Sequence, residues 1–231
     1  MCISGGHIID LERSGAASWV SADKARGARS VPAHQHLFFE GDDRTHIFVI
    51  ESGWVKLYRT LIDGQRQVVG FCNGGSILGL EGAESHVNAC EAVTSVRVRA
   101  IPLSRLADVC TRDPELAGQL LQQMGRQLGS AQAQLTTVGA QSADQKLATF
   151  LLAFADYGAP DGGEFDLPMR RSDIGEFLGL RLETVSRKLS DFQRRKWVRM
   201  VSLYRCQILN REALECLAEG GEVEDLGQLA H

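Results

Sequence analysis

Three hydrophobic periodicities follow one another along the chain. Between residues 30 and 101, short apolar runs alternate with turn residues: HLFF then EGDD, HIFVIES then Gly53, WVKLYRT then IDGQ, RQVVGF then CNGG, and finally SVRVRAI. Short runs rich in β-branched and aromatic residues, bounded by Gly and Asp, predict an antiparallel sandwich or barrel. Asp63-Gly64 between two alternating runs predicts a hairpin, and Gly41, Gly53, Gly64 and Gly75 each stand where a turn is needed. A helix is expected from Pro102 to Cys110, and from 113 the period changes. Asp113 and Pro114 read as N-cap and first helical residue. Leu116, Leu120, Met124, Leu128, Ala131, Leu135 and Val138 then recur at spacings of 4, 4, 4, 3, 4 and 3. A single narrow stripe with a Gln-rich opposite face is a coiled-coil-like seam. It predicts a homodimer through Leu116, Leu120, Met124, Leu128, Leu135 and Val138, with a helix buried in its own domain as the alternative.

The third pattern is C-terminal. Gly139–Ser142 reads as a hinge, followed by a helix with Leu147, Phe150, Leu151 and Phe154 inward, a loop over 158–163, and a short strand stopped by Pro168. In the stretch from Arg170 to Met200, Ile174, Phe177 and Leu178 share one helical face and Gly179 breaks the run. Leu182, Val185, Leu189 and Phe192 then recur at i, i+3, i+7 and i+10. Two short helices around a glycine form a helix-turn-helix, whose second helix can enter a DNA major groove. The polar face of that helix carries Arg181, Glu183, Ser186, Arg187 and Lys188. Trp197–Val201 and Tyr204–Leu209 alternate around a turn as a β-wing, and Asn210 caps a last helix through Leu217. Residues 1–29 have weak periodicity and read as an arm with one short helix; residues 219–231 read as a loose acidic tail.

Charge separates this helix pair from an ordinary αα-hairpin, which would show the same apolar faces. Residues 170–199 hold nine Lys or Arg and four Asp or Glu, a local net of +5 on a chain whose net charge is −4. A basic island on an acidic protein is a polyanion footprint. Hydrophobic content of 44% and charged content of 23% describe an ordinary globule. No apolar run approaches the ~20 residues of a membrane span, and MCISGGHIIDLERSG lacks the features of a secretory signal. The expected location is cytoplasmic, with no membrane partner. The six cysteines (Cys2, Cys72, Cys90, Cys110, Cys206 and Cys216) form no C-x-x-C pair and do not read as a disulfide framework.

Two features of the β-rich region carry candidate chemistry. His34, His36 and Glu40 resemble part of the metal motif of cupin barrels, which would make the chain a metal-dependent enzyme. The Gly spacing is off, however, and neither His46 nor His86 stands where the remaining ligand is needed, so non-ligating histidines are expected. Gly74-Gly75-Ser76-Ile77-Leu78-Gly79-Leu80-Glu81 can be read as an anion-holding nest or as a tight turn, the preferred reading.

The order of β-roll, long helix and winged helix-turn-helix, together with FFEGD, ESGWVKLYRTLIDGQRQVVGF, GGSILGL and SDIGEFLGLRLETVSRKLSDFQ, resembles the Crp–Fnr transcription regulators over about residues 30–217. The resemblance implies an α+β architecture. An N-terminal arm (1–29) precedes an antiparallel β-roll like cyclic-nucleotide-binding jelly rolls (30–112), then a dimerisation helix (113–139) and a winged helix-turn-helix DNA-binding domain (140–231). It implies no catalytic residues, and double-stranded DNA and RNA polymerase as partners. The D-I-G-x-x-L-G-L-x-x-E-T-V-S-R run is similar to the Fnr and FixK branches. By that similarity Glu183, Ser186 and Arg187 contact bases of a TTGAT…ATCAA-type inverted repeat, with Leu182 against a thymine methyl. The chemistry agrees: Arg donates to guanine, Glu accepts from cytosine, and Ser meets either. Leu182 stands where the cyclic-AMP branch has Arg. Arg171, Arg181, Lys188, Arg194 and Arg195 are phosphate candidates, and Arg181 replaces the usual Ser or Thr cap.

The departures narrow the branch. The stretch SHVNACEA lacks the arginine that holds a cyclic nucleotide's phosphate, so none is expected. Only Cys2 lies N-terminal, and Arg99 occupies the position of the internal cysteine of iron–sulfur members, so a four-thiolate cluster is not expected. Arg170 stands where some FixK-type members carry a redox cysteine. The resemblance therefore implies a FixK-like activator of microaerobic or redox-linked genes with no cofactor and no bound metal. The alternative is the same scaffold gated by haem, nitric oxide or a thiol. A scaffold that dimerises without touching DNA is the remaining contrast.

Overall fold

The computed structural model of the chain describes residues 2–4, 7–9, 28–80, 84–112 and 141–221, with isolated helical positions between 114 and 125. The chain divides into two compact units, residues 1–134 and 135–231.

The first unit is a sandwich of two antiparallel sheets. Its strands are β1 (Cys2–Ser4), β2 (His7–Ile9), β3 (Arg29–Val31), β4 (His36–Phe38), β5 (His46–Ser52), β6 (Val55–Thr60), β7 (Arg66–Cys72), β8 (Ile77–Leu78), β9 (Ala89–Ala92) and β10 (Val96–Pro102). They pair in the orders β2-β1-β7-β6-β9-β4 and β3-β10-β5-β8. Strand side chains alternate between faces, and β5 uses both. Phe48 and Ile50 enter the core between the sheets, with Phe38, Val55, Leu57, Val96 and Val98. Ile47 and Val49 face the other way, onto Leu103 and Leu106 of helix α1 (Leu103–Arg112). Burial on both faces is why HIFVIES reads as a continuous apolar run. Gly53 closes the β5–β6 turn at φ 87°, where a Cβ would meet the Ser95 carbonyl oxygen at 2.3 Å. The Asp63-Gly64 turn joins β6 to β7: the Gly64 amide donates to the Leu61 carbonyl (2.9 Å) and the Gln65 amide to Asp63 Oδ1 (3.0 Å).

The N-terminal arm contains a hairpin that the sequence did not predict, and the short helix expected there lies outside the described residues. Residues 2–4 and 7–9 are an antiparallel hairpin, and β1 pairs with β7 so that Cys2 and Cys72 are register partners. Three-residue strands are too short to show a period of two. The cysteine reading is also corrected, since Cys72 is disulfide-bonded, while Cys90, Cys110, Cys206 and Cys216 are free. Burial pushes the Cys206 thiol up to about 12, which makes it inert packing. Among the described residues no helix is long and apolar enough to cross a membrane.

The second unit begins with α2 (Ala143–Gly158), which carries a complete capping box. The Gln145 amide donates to Ser142 Oγ (3.2 Å) and the Ser142 amide to Gln145 Oε1 (2.7 Å). Leu147, Phe150, Leu151 and Phe154 are buried, as their spacing predicts. The strands β11 (Glu164–Asp166), β12 (Val198–Ser202) and β13 (Arg205–Ile208) form a sheet of order β11-β13-β12. The final helix, α5 (Arg211–Ala218), is capped by Asn210, whose Oδ1 accepts from the Ala213 amide at 3.0 Å.

His86 gives the first unit a titratable weak point. It is buried, stacked on Phe38 with centroids 3.8 Å apart, and its Nδ1 has no hydrogen-bond partner. Burial first, then the Arg44 guanidinium, holds the imidazole below its ordinary value against the opposing pull of Asp42. The unfolded chain therefore takes up this proton first as pH falls. The stabilisation is fully present above the unfolded value of about 6.5 and is lost as pH drops toward the lowered folded value. Urea unfolding at pH 7.5 and 5.0 should show a stability loss that is smaller in His86→Gln. An identical loss in both proteins would show that His86 is not the group responsible.

Candidate nucleic-acid interface

Helix α3 (Arg171–Leu178) starts where the Arg170 amide donates to Asp173 Oδ2 at 3.0 Å. It ends at Gly179, which adopts the left-handed conformation (φ 66°, ψ 38°) that glycine takes at low cost. The Leu180 amide then donates back to the Gly175 carbonyl at 2.9 Å. This turn needs a second glycine. A Cβ on Gly175 would lie 2.6 Å from the Leu180 carbonyl oxygen, a backbone atom with little freedom to move. Sequence reasoning singled out Gly179 and missed Gly175. A glycine inside a helical pattern, where alanine is preferred by ~1 kcal/mol, was the available signal.

Helix α4 (Leu182–Arg194) buries Val185, Leu189 and Phe192. The opposite stripe, Glu183, Arg187, Ser190 and Arg194 at i, i+4, i+7 and i+11, is exposed. Leu182 is exposed at the first turn and Ser186 is half-buried beside the stripe. Arg181 occupies the N-cap with no side-chain cap bond, as its chemistry predicts. The helix closes with Lys196 at φ 57° and the Trp197 amide donating to the Phe192 carbonyl at 2.9 Å.

The predicted contact residues fall into two electrostatic groups. Arg171, Arg181, Glu183 and Arg187 make no ion pair among the described residues. The others are engaged. Lys188 Nζ lies 2.6 Å from Asp144 Oδ2. Arg194 and Arg195 both pair with Asp191, Arg195 at 3.1 Å, and the Arg195 guanidinium stacks over Trp197 at 5.0 Å. In the wing, Arg205 is held by Glu164 (3.3 Å) and Asp166 (3.6 Å), leaving Leu203 and Tyr204 exposed at the tip. Asp144 was not singled out from the sequence, because only the fold brings an acid at 144 to a cation at 188; Asp191 could have been, since Arg194 and Arg195 follow it at i+3 and i+4 on one helix.

Of the seam residues, Leu116, Leu120, Leu128, Leu135 and Val138 lie outside the described residues. Met124 is helical and 47% exposed. Neighbouring Leu121 is 69% exposed.

The structure breaks up the other candidates in the first unit. His34 and His36 face Glu91 at 3.6 and 3.8 Å, while Glu40 turns to Arg59 (3.6 Å) and the Thr60 amide (3.4 Å). The His34–His36–Glu40 set is therefore not assembled, and no group of three His, Cys, Asp or Glu suited to a metal occurs among the described residues. In the glycine-rich turn, the Gly75 amide donates to the Ile50 carbonyl (2.8 Å) and the Ser76 amide to the Asn73 carbonyl (3.0 Å), so those donors are spent internally. Arg99 donates through Nε and Nη2 to Glu51 Oε1, at 3.1 and 2.5 Å. This ion pair offers no thiolate to an iron–sulfur cluster.

Residues 28–113 match the cyclic nucleotide-binding domain and residues 145–217 the Crp-like helix-turn-helix domain. The chain is 31% identical over 201 residues to the transcriptional activator protein Anr of Pseudomonas protegens, covering 85% of this chain and 82% of that protein. It is 32% identical over 189 residues to the fumarate and nitrate reduction regulatory protein of Salmonella typhimurium, covering 80% and 75%. The structure of FixK2 from Bradyrhizobium japonicum superposes with a TM-score of 0.77 at 30% identity, covering 85% of this chain and 98% of that one.

The Gly175 contact generates a direct test. Gly175→Ala should destabilise the second unit by ~1–3 kcal/mol, the usual cost of forcing an extra methyl group into a tight contact. Urea unfolding followed by Trp197 fluorescence measures it. A variant as stable as the parent would show that the Leu180 backbone yields freely.

Proposed function

The chain belongs to the Crp/Fnr family of DNA-binding transcription regulators, and on that premise we propose that it acts in the cytoplasm as a homodimer on a TTGAT…ATCAA-type inverted repeat. Its relatives and fold neighbours are regulators, not enzymes. The observation that carries the proposal is the division of α4. One face is spent on Val185, Leu189 and Phe192, while Glu183 and Arg187 project from the other with no ion pair among the described residues. An exposed acceptor and an exposed bidentate donor one helical turn apart suit cytosine N4 and guanine O6/N7. Ser186 and Leu182 complete the proposed base contacts. Arg171 and Arg181 supply unencumbered phosphate contacts; Arg194, whose side chain is largely exposed, can exchange Asp191 for phosphate, and Arg195 is proposed as a further phosphate contact that shares the same carboxylate.

We place the division of labour at residues 30–112 for the β-roll, 113–139 for the dimerisation helix and 140–231 for DNA binding. A two-fold dimer would set its two α4 helices about 34 Å apart, one turn of DNA. One observation supports dimerisation: Met124 and Leu121 are apolar and exposed at helical positions, and a two-fold dimer would match the symmetry of the proposed inverted repeat. Recruitment of RNA polymerase and microaerobic or redox-linked targets are proposed from the relatives, one named an activator and another for fumarate and nitrate reduction. No cyclic nucleotide is assigned, because the stretch Ser85-His86-Val87-Asn88 carries no guanidinium and its histidine is buried and biased toward the neutral form.

A gel shift on a symmetric TTGAT…ATCAA duplex, in air and without ligand, tests the proposal at stated salt. The expected result is tight binding against a scrambled duplex. Arg187→Ala should lose ~1–3 kcal/mol, about ten- to a hundred-fold in Kd. Glu183→Ala should lose discrimination at the paired cytosine more than affinity. Equal binding to both duplexes by the wild-type protein would rule out this operator class.

A further inference from the structure

Of the two adjacent cations in the middle of α4, only Arg187 belongs to the exposed stripe. At about 100° per residue, Arg187 lies roughly 160° from the buried Val185, but Lys188 only about 60° from it. That places Lys188 on the flank turned toward α2, where its Nζ meets Asp144 Oδ2 at 2.6 Å. Both side chains are largely withdrawn from solvent, 28% and 29% exposed. The other carboxylate oxygen, Asp144 Oδ1, is buried with no hydrogen-bond partner. Asp144 therefore depends on Lys188 for its compensation. Removing that cation would leave a half-buried carboxylate with one oxygen already out of reach of solvent and unpartnered, a larger penalty than opening a fully exposed pair.

We propose that Asp144 is a positioning residue that withholds Lys188 from the DNA backbone, so that α4 meets the duplex with one cation fewer than its sequence carries. A phosphate reaching for Lys188 must compete with Asp144 and also approach that carboxylate. Arg187, Arg181 and Arg171 face no such competitor among the described residues. Asp144 also stands in the first turn of α2, immediately after the segment that leads into the second unit. The bridge thus fastens α4 to the helix end where the chain enters the unit.

The inference rests on DNA binding but not on any operator sequence, so a random-sequence duplex serves as the probe. Binding constants for the full chain, Lys188→Met, Asp144→Asn and the double variant are measured across a salt series. Each phosphate neutralised contributes about −0.9 to the slope of log K against log salt. The expected result is a Lys188→Met slope equal to that of the wild type, with Kd within about twofold. Asp144→Asn should have a slope steeper by about 0.9 and bind more tightly at low salt, and the double variant should return to the wild-type slope. A Lys188→Met slope shallower by about 0.9, or an unchanged Asp144→Asn slope in a folded protein, would overturn the proposal. If Asp144→Asn unfolds, the Lys188→Met arm alone decides between the two slopes. Wild-type protein with no salt-dependent binding would instead remove the DNA-binding premise, and the inference with it.

Discussion

The second unit depends on a missing atom. Because Gly175 has no Cβ, the Leu180 carbonyl oxygen can sit where that atom would be, and the chain reverses within the few residues between α3 and α4. The close approach brings the apolar stripes of both helices onto α2: Phe177 packs on Phe150 with ring centroids 5.6 Å apart, and Val185 and Leu189 are fully buried. Phe192 then packs on Trp197 at 5.4 Å, which fixes where β12 begins. With one side of α4 wholly committed to these contacts, a helix of this length has only its opposite side to offer a partner. The orientation of Glu183 and Arg187 is thus a consequence of core packing.

Charge is paired in some places and left open in others. In the first unit, Glu91 is buried yet surrounded by Lys56 (3.3 Å), Arg66 (3.6 Å), His34 and His36, and Glu51 holds Arg99 and Arg97. Such clusters satisfy themselves, and their fields are short-ranged once paired and screened. Arg181 and Arg187 are exposed and Arg171, at the start of α3, is half-buried; none of the three makes an ion pair among the described residues. Polyanion attraction comes from charge that has not already been compensated. The uncompensated arginines at 171, 181 and 187 lie within the segment matched by the helix-turn-helix family, residues 145–217, where such charge can serve DNA binding.

Much of the architecture was legible because its signals are local. Short β-branched and aromatic runs bounded by glycine turns located the sandwich, and i, i+3, i+7, i+10 spacing located α4 down to its buried residues. What escaped was short or non-local. The strands at residues 2–4 and 7–9 carry too few side chains for a period to emerge, and only their register with β7 gives them meaning. The sequence expected His34 and His36 to ligate nothing but could not name the acid they face, because Glu91 is more than fifty positions away. The pleat sends Glu91 to the same face as His36 through the β4–β9 register. Asp144 and Lys188 are 44 positions apart and meet only when α2 crosses α4.

A sum of charges along a sequence is consequently a poor count of contacts. The local net of +5 over residues 170–199 treats every cation as available. The folded chain does not: Asp191 is shared by Arg194 and Arg195, Asp144 is spent on Lys188, and Glu183 projects among the free arginines as a negative charge. That last feature costs binding energy against any phosphate surface, so its exposure is unfavourable for a surface built only for affinity. A carboxylate there makes physical sense where a base-edge donor is to be accepted, because it penalises every sequence that lacks one. Discrimination by an unfavourable charge, set among a few uncompensated arginines, is the property that separates a sequence-reading surface from a merely basic one.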